Sequence, residues 1–365
     1  MKRIVALALC FLLIAGVMAG CGSAKQPAAP AASGEKTEAP AASGEKTEAP
    51  AAAPAPAKNA KVLRASTPSD PGAAWTVALE TIAQLVEERT DGAYHIDVYP
   101  NASLSENSEK TMTEQVYVGT LDMCITPGSL ASAEWSAFSV PFQFDNRDHI
   151  WRVCQSDVVK EMMANMEPKG MKVLGIVENG FRQITNNAHE IRVPADAVGV
   201  KLRTPQAPSS IAQAEMMGFN AVAISAGELY VALQQGTADG QENPLNTIYD
   251  KGFYDVQKYL TVINYNWSPG LCGVNIDLWN SLDADTQAIF EQAIQEGCEV
   301  ANKMMAENDE SYIQKLQDKG MQVYICTDED IALWKEQMAD AASIYAASVG
   351  EDLMARFTEA VNAAR

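Results

Sequence analysis

"KVLRASTPSDPGAAWTVALETIAQLVEERTDGAYHIDVYP", residues 61–100, decides the fold class. Its first seven residues read as a strand. Trp75, Leu79, Ile82 and Val86 then recur at spacings of four, three and four, one stripe of a helix that stops at Gly92. In "YHIDVYP" the residues Tyr94, Ile96 and Val98 alternate with His95, Asp97 and Tyr99, the period of a half-buried strand. Strand, helix, strand in so short a span is the unit of a parallel sheet, and the rhythm continues outward. A helix over "SEKTMTEQVYVG" leads into the strand "LDMCIT", and "WRVCQSDVVKEMMANMEPKG" precedes the strand "MKVLGIV". Farther on, "VGVKLRT", "PSSIAQAEMMG" and "FNAVAI" give strand, helix and strand again. The class is therefore α/β with largely parallel sheets. Ser225 and Glu228 form an S-x-x-E box that predicts a helix from Gly227 to Gly236. From Asp283 to about Asp318 a helical pattern runs almost without a breaker, with Thr286, Ile289, Ala293, Gly297, Ala301, Met304 and Met305 on or near one face. At ~1.5 Å per residue it approaches ~50 Å, too long for one small domain to cover, so it is expected to brace two.

A chain of 365 residues has room for two domains of ordinary size. The first stretch, "MKRIVALALCFLLIAGVMAGCGS", carries Lys2 and Arg3, an apolar run from Ile4 to Val17, and small residues before Cys21. Residues 1–20 are thus expected to be an export signal, too short and wrongly flanked for a stable membrane span. The "VMAGC" end resembles a bacterial lipobox, although Met18 stands where leucine is usual. Cys21 is accordingly expected to carry lipid, with plain secretion as the other reading. Residues 21–60 contain the decapeptide "AASGEKTEAP" twice in tandem, at 31–40 and 41–50. Alanine, proline, glycine and balanced charge bury nothing that would offset the entropy of ordering, so this segment is expected to be a disordered tether.

The whole chain carries a formal charge of −20; without Lys2 and Arg3, and with four lysines balancing four glutamates in the tether, the body from residue 61 carries −22. Nucleic-acid binding needs a basic footprint, and the body shows none. Beyond Cys10 and Cys21 the cysteines are Cys124, Cys154, Cys272, Cys298 and Cys326, no two closer than 26 positions. That spacing gives no CxxC redox pair and no zinc knuckle. His95, His149 and His189 lack partners at metal-ligand spacing, and no nucleophile elbow, phosphate loop, dinucleotide fingerprint or calcium loop occurs. No cofactor or metal is implied.

Ligands of open α/β sheets sit beyond the carboxyl ends of the strands, and two arginines lie there. Arg182 follows "MKVLGIV" within "ENGFRQITNN", and Arg203 closes "VGVKLRTP" before a proline that holds Thr204 extended. An arginine's planar fork matches a carboxylate in two parallel hydrogen bonds. Because long-range fields are screened over ~8 Å at physiological salt, the acidity of the body does not forbid local capture of an anion. A third polar feature is "TADGQENP", residues 237–244, which packs two acids, two amides, a glycine and a proline between an apolar helix pattern and the aromatic-rich "NTIYDKGFYDVQKYL". Gly240 there suggests a tight turn and Pro244 an extended Asn243, so by itself the stretch reads as a surface loop.

Together "FRQITNN", "GVKLRTP", "ELYVALQQGTADGQENP" and "YDVQKYL" resemble the solute-binding proteins of tripartite ATP-independent periplasmic (TRAP) transporters, a group that includes dicarboxylate- and sialic-acid-binding members. The likeness extends over nearly all of residues 61–350. It implies a two-lobed periplasmic-binding-protein clamshell of the type II-like kind, its lobes joined by crossover strands and the long bracing helix. Residues 61–180 with 269–308 would form lobe I, and 181–268 with 309–365 lobe II. The resemblance implies that Arg203 pairs with a ligand carboxylate, that Arg182 makes a second anion or hydroxyl contact, and that Asn243 closes the site with Glu242 beside it. Sialic-acid-binding members carry an aromatic residue where this chain has Ala226, and an asparagine where it has Gln206, so another acid is expected. Gln206 keeps a place in the site on this alignment. Trp267 in "YNWSPG" is a candidate for stacking on the ligand, or else a core residue; Thr126, Gly128 and Ser129 are candidate polar contacts from the other lobe. The implied protein is an exported, lipid-anchored monomer that captures a small organic acid, of the sugar-acid or dicarboxylate class, and passes it to TRAP permease membrane subunits. Two alternatives stay open: an exported carboxylate-processing enzyme using Glu242 and Asp239 as acid and base, and a binding protein for an ATP-driven importer.

Overall fold

The computed structural model describes residues 59–365; the expected signal, the lipidated Cys21 and the tether lie outside the described residues. Ten strands carry the architecture: β1 (Lys61–Ser66), β2 (Tyr94–Tyr99), β3 (Met123–Pro127), β4 (Met171–Asn186), β5 (Lys201–Thr204), β6 (Asn220–Ala223), β7 (Gly240–Pro244), β8 (Tyr259–Val262), β9 (Trp267–Asn275) and β10 (Gln322–Ile325). The opening segment folds as expected. β1 and β2 pair in parallel across the Ala74–Arg89 helix, whose Trp75, Leu79, Ile82 and Val86 are all buried.

Hydrogen bonding runs in the order β2-β1-β3-β9-β4-β7-β5-β6, with β8 on β4 and β10 on β8. The first half of β4 pairs with β9 and belongs to one sheet, the second half pairs with β7 and β8 and belongs to another. The expectation of largely parallel sheets holds away from this crossing: β1 with β2 and β3, β5 with β6 and β7, and β8 with β10 are parallel. Every pairing of β9 with its neighbours, and of β4 with its neighbours, is antiparallel. A strand leaving one sheet for the other and a strand coming back run in opposite senses, which a strict strand–helix alternation does not reveal.

β4 is one continuous 16-residue strand where the sequence suggested only its first seven residues. Its register against β9 shifts between Val173 and Gly175 and again between Glu178 and Gly180. Gly180 sits at φ +107°, a conformation that a residue with a Cβ rarely adopts, and it lies where the strand changes sheets. Asn302 of the long helix fixes this crossing, accepting from the Glu178 amide at 2.7 Å and donating to the Ile176 carbonyl at 3.2 Å.

That helix spans Ala284–Asp318, 35 residues, capped by Asp283 whose side chain accepts from the Thr286 amide. Phe290, Ala293, Ile294, Cys298, Ala301 and Met305 join the core built on β1 and the Ala74–Arg89 helix. Leu316, near the other end, joins a separate core with Leu229, Leu245, Ile248 and Leu260 around the second sheet. One rod thus contributes to a core at each sheet, as its length required.

The remaining apolar clusters complete the two halves. One packs Trp135, Phe138, Ile150, Val159 and Trp267 with Tyr345, Val349, Leu353, Phe357 and Val361 from the last two helices, Ala341–Val349 and Glu351–Ala363. Tyr345, Val349, Leu353, Phe357 and Val361, in the stretch assigned to lobe II from the sequence, thus pack among residues of the first half, while Ala341 at the start of the same helix joins a different cluster, with Trp334 and Phe219. A third cluster, with Val200, Leu202, Phe219 and Trp334, fills the second half. The helix expected from Gly227 starts two residues later, at Leu229, because the Ser225 hydroxyl bonds the Glu228 carboxylate at 2.7 Å instead of capping a backbone amide. Among the described residues no helix is long and apolar enough to cross a membrane.

Candidate functional site

A cavity of about 570 Å³ opens where β4 passes between the sheets, lined from both halves of the chain. "TADGQENP" is not a surface loop. Its last five residues form β7, a central strand of the second sheet, and Gln241 and Glu242 are buried. Gly240 makes no tight turn there. A Cβ at that position would overlap the Thr185 carbonyl, so glycine is required by the close approach of β4. β4, β7 and β5 are neighbours, and each delivers a charged side chain to the cavity: Arg182, Glu242 and Arg203.

The two arginines differ in their partners. Arg182 is committed within the protein. Its Nε donates to Glu242 Oε2, and its Nη2 donates to Glu242 Oε1 at 2.9 Å, to the Glu242 carbonyl at 2.8 Å and to Asn243 Oδ1 at 3.0 Å. Tyr265 adds a phenol donating to Glu242 Oε2 at 2.8 Å. Burial, reinforced by the Glu242 charge, holds that phenol far above its usual range, so it stays a donor. Burial works against the Arg182 charge, yet Glu242 outweighs it and lifts the guanidinium above its ordinary value.

Arg203 is only 3 % exposed and has one bond, from Nε to the Ile224 carbonyl at 2.8 Å. Among the described residues it has no ion-pair partner. Burial pushes its guanidinium down to about 10, opposed by the more distant charges of Glu242 and Glu109 and furthered by Arg182. It is a desolvated cation at the wall of a cavity, with both terminal nitrogens unclaimed by the protein, and a carboxylate is the group whose geometry fits it.

Of the residues singled out from the sequence, Arg203, Arg182, Glu242, Asn243 and Ser129 line the cavity. Four others lie elsewhere. Trp267 is fully buried, its ring 5.6 Å from Phe138 and 5.9 Å from Trp151, and takes the core alternative. Thr126 is fully buried, with its hydroxyl 2.6 Å from that of Thr113. Gly128 packs against Trp135 and Pro269, where a Cβ would come within 3.0 Å of the tryptophan side chain. Gln206 is exposed and outside the lining, although Pro205 beside it is inside. In each case a neighbour in sequence reaches the cavity; for Thr126 and Trp267, which lie in strands, the alternation of direction along the backbone turns the chosen side chain away.

Glu109, Gln213 and Asn266 line the cavity and escaped the sequence reading. Glu109 looks like any acid in the first turn of a helix, and Gln213 like any polar residue within one. Asn266 precedes the tryptophan that drew attention. The acid–base pair needed by the enzyme alternative is not assembled. Glu242 is tied to Arg182 and Tyr265, while Asp239 accepts from the Lys201 amide at 2.9 Å and lies outside the cavity lining.

Residues 66–348 match the family described as bacterial extracellular solute-binding protein, family 7. A relative named "Solute-binding protein" from Verminephrobacter eiseniae is 34% identical over 68% of this chain and 74% of its own length. The C4-dicarboxylate-binding periplasmic protein DctP of Rhodobacter capsulatus is 30% identical over 83% of this chain and 90% of its own. Among solved structures, the sugar acid binding protein DctPAm of Advenella mimigardefordensis, in complex with galactonate, superposes with a TM-score of 0.80 at 25% identity, over 84% of this chain and 99% of the other. The two-lobed fold is shared, and these proteins bind solutes instead of transforming them. The chain is a member of the bacterial extracellular solute-binding proteins of family 7, the DctP family, which serves TRAP transport.

Proposed function

We propose that the protein captures a small organic acid by its carboxylate at Arg203, closes its two lobes over it, and delivers it to the membrane subunits of a TRAP-type permease. The observation that carries this reading is a buried guanidinium that, among the described residues, has one bond to a backbone carbonyl and no counter-charge in contact, at a cavity lined from both halves of the chain. A ligand carboxylate supplies the missing charge and two charge-assisted hydrogen bonds. Arg182 acts chiefly as the fixed partner of Glu242, adding positive potential near the carboxylate, and Asn243 shares that network. Lobe I comprises residues 61–180, 269–308 and the last two helices; lobe II takes 181–268 and the remainder of the chain after 308. Cys21 in "VMAGC" serves as the lipid attachment point and residues 21–60 as the leash, leaving the binding body at the outer face of the cytoplasmic membrane.

The test is Arg203→Met, which keeps side-chain bulk and removes the charge. Screening uronates, aldonates, four-carbon dicarboxylates, keto acids and aromatic acids by thermal shift finds the acid that stabilises the native protein, since a ligand of the folded state raises Tm by mass action. At ~1.5–3 kcal/mol per charged hydrogen bond, losing two predicts at least roughly a hundred-fold weaker binding by calorimetry. The ligand-free variant should melt no lower than the native protein, because a desolvated charge is removed with the ligand contact. Native affinity in Arg203→Met would overturn the reading.

A further inference from the structure

Cys272 and Cys298 meet in the apolar core of the first half, away from the cavity lining. On β9, Cys272 stands opposite Ile125 of β3 and Gly175 of β4, so its side chain leaves on the face covered by the Ala74–Arg89 and Ala284–Asp318 helices. Cys298 reaches the same place from the long helix, four residues before the Asn302 that bonds β4. Gly175 makes the room. A Cβ there would fall 2.5 Å from Cys298 Sγ and 3.6 Å from Cys272 Cβ. The Cys298 sulfur thus rests on bare β4 backbone beside Cys272, and the two side chains, both thiols in this structure, share a hydrogen bond. That bond, with burial, holds the Cys272 thiol well above its ordinary range.

The other described cysteines are placed differently. Cys124 pairs with Gly273, one position along, so its side chain leaves by the opposite face into the cluster of Trp135 and Phe138. Cys154 packs on that cluster from the end of the Arg147–Cys154 helix, and Cys326 has its sulfur 3.8 Å from the Arg192 carbonyl. The family is extracellular, and outside the cytoplasm disulfides form and persist.

We infer that Cys272 and Cys298 are joined by a disulfide in the exported protein, fastening the long helix to strand β9. The step is exchange with a protein or low-molecular-weight disulfide of that compartment. The Cys272 thiolate attacks one sulfur of the oxidant, giving a mixed disulfide and releasing one oxidant thiolate; the Cys298 thiolate then displaces the other. Two S–H bonds are lost and one S–S bond forms, two protons pass to solvent, and two electrons reduce the oxidant to its dithiol form. Both sulfurs are buried once the chain has folded, so the exchange belongs to folding. The residues are 26 positions apart, and closing such a loop restricts the unfolded chain. Neither residue lines the cavity, so the bond is independent of carboxylate capture by Arg203.

The test is peptide mapping of the full chain, exported by its host, purified without reductant and denatured in iodoacetamide before digestion. No lysine or arginine lies between Lys258 and Lys303, so trypsin releases residues 259–303 as one peptide holding both cysteines. Unreduced, that peptide should take up no alkyl group and weigh two hydrogens less than the dithiol; reduced first, it should take up two. The peptides with Cys124, Cys154 and Cys326 should be alkylated either way. Reductant should lower the Tm of the native protein by roughly 5 °C or more and leave that of Cys298→Ala unchanged. Two alkyl groups on the unreduced peptide, or a bond from either residue to another cysteine, would overturn the inference. If Cys298→Ala does not fold, the map of the native chain decides by itself.

Discussion

Glu242 shows how a residue can be legible as part of a site while its role is not. The "QENP" stretch and the two arginines mark the place, but which arginine the glutamate neutralises depends on β4 lying beside β7, a pairing between positions 60 residues apart. With Glu242 spent on Arg182, Arg203 keeps no ion-pair partner among the described residues, as the proposed capture of a carboxylate requires. The side chains of both partners are close to 10 % exposed or less. Truncating one member of such a pair strands the other charge in a poorly solvated place, at ~3–5 kcal/mol. Glu242→Ala should therefore lower the urea midpoint by that amount divided by the denaturation slope, and Arg182 and Glu242 changed together to apolar residues should recover much of it. A loss under about 1 kcal/mol would show that the pair is solvated and would weaken the assignment of Arg203 as the free cation.

Among the elements, the long helix and the crossover strand carry most of the consequence. The helix was visible from its unbroken pattern, and its contact with the Ala74–Arg89 helix turns on Gly297, where a Cβ would come within 2.5 Å of Ile82 Cγ1 and 2.8 Å of the Ala78 carbonyl. This position separates two effects of opposite sign. Helix propensity favours alanine over glycine by ~1 kcal/mol, whereas overpacking a tight interface costs ~1–3 kcal/mol. The backbone carbonyl cannot swing aside, so Gly297→Ala should destabilise on balance, seen as a lower Tm and a lower urea midpoint. A stabilised variant would mean that the two helices are less closely seated. The crossover strand was only half visible, because "ENGFRQITNN" is polar. Its polar side chains are buried by cross-strand and loop partners, as where Gln183 donates to Asn264 and accepts from the Ile263 amide.

For the molecule as a whole, function requires the two sheets to enclose a ligand and release it. Lys251, just after the Leu245–Asp250 helix of the second half, reaches Asp70 at 2.9 Å, on a loop of the first half, and Asn101 at 3.0 Å, in the short helical segment Pro100–Ser105, and all three are on the cavity lining. These contacts cross the cleft without touching the Arg203 fork. Partly exposed pairs contribute ~0.2–1 kcal/mol, so Lys251→Ala should raise the ligand dissociation rate roughly two- to five-fold with Tm little changed. Stopped-flow tryptophan fluorescence measures it; an unaltered rate would mean that these bonds do not hold the lobes together. The amino-acid sequence by itself determined the α/β class, the bracing helix, the family resemblance and the place of Arg203 at a strand end, because periodicity, helix length and short motifs are properties of neighbours along the chain. Only the tertiary structure decided that "TADGQENP" is a buried strand, that Arg182 is occupied and Arg203 is not, that Trp267 is core, and that Glu109, Gln213 and Asn266 meet in one cavity. Those facts depend on which distant backbone lies alongside and to which face each side chain turns, and a one-residue shift in direction exchanges cavity for core.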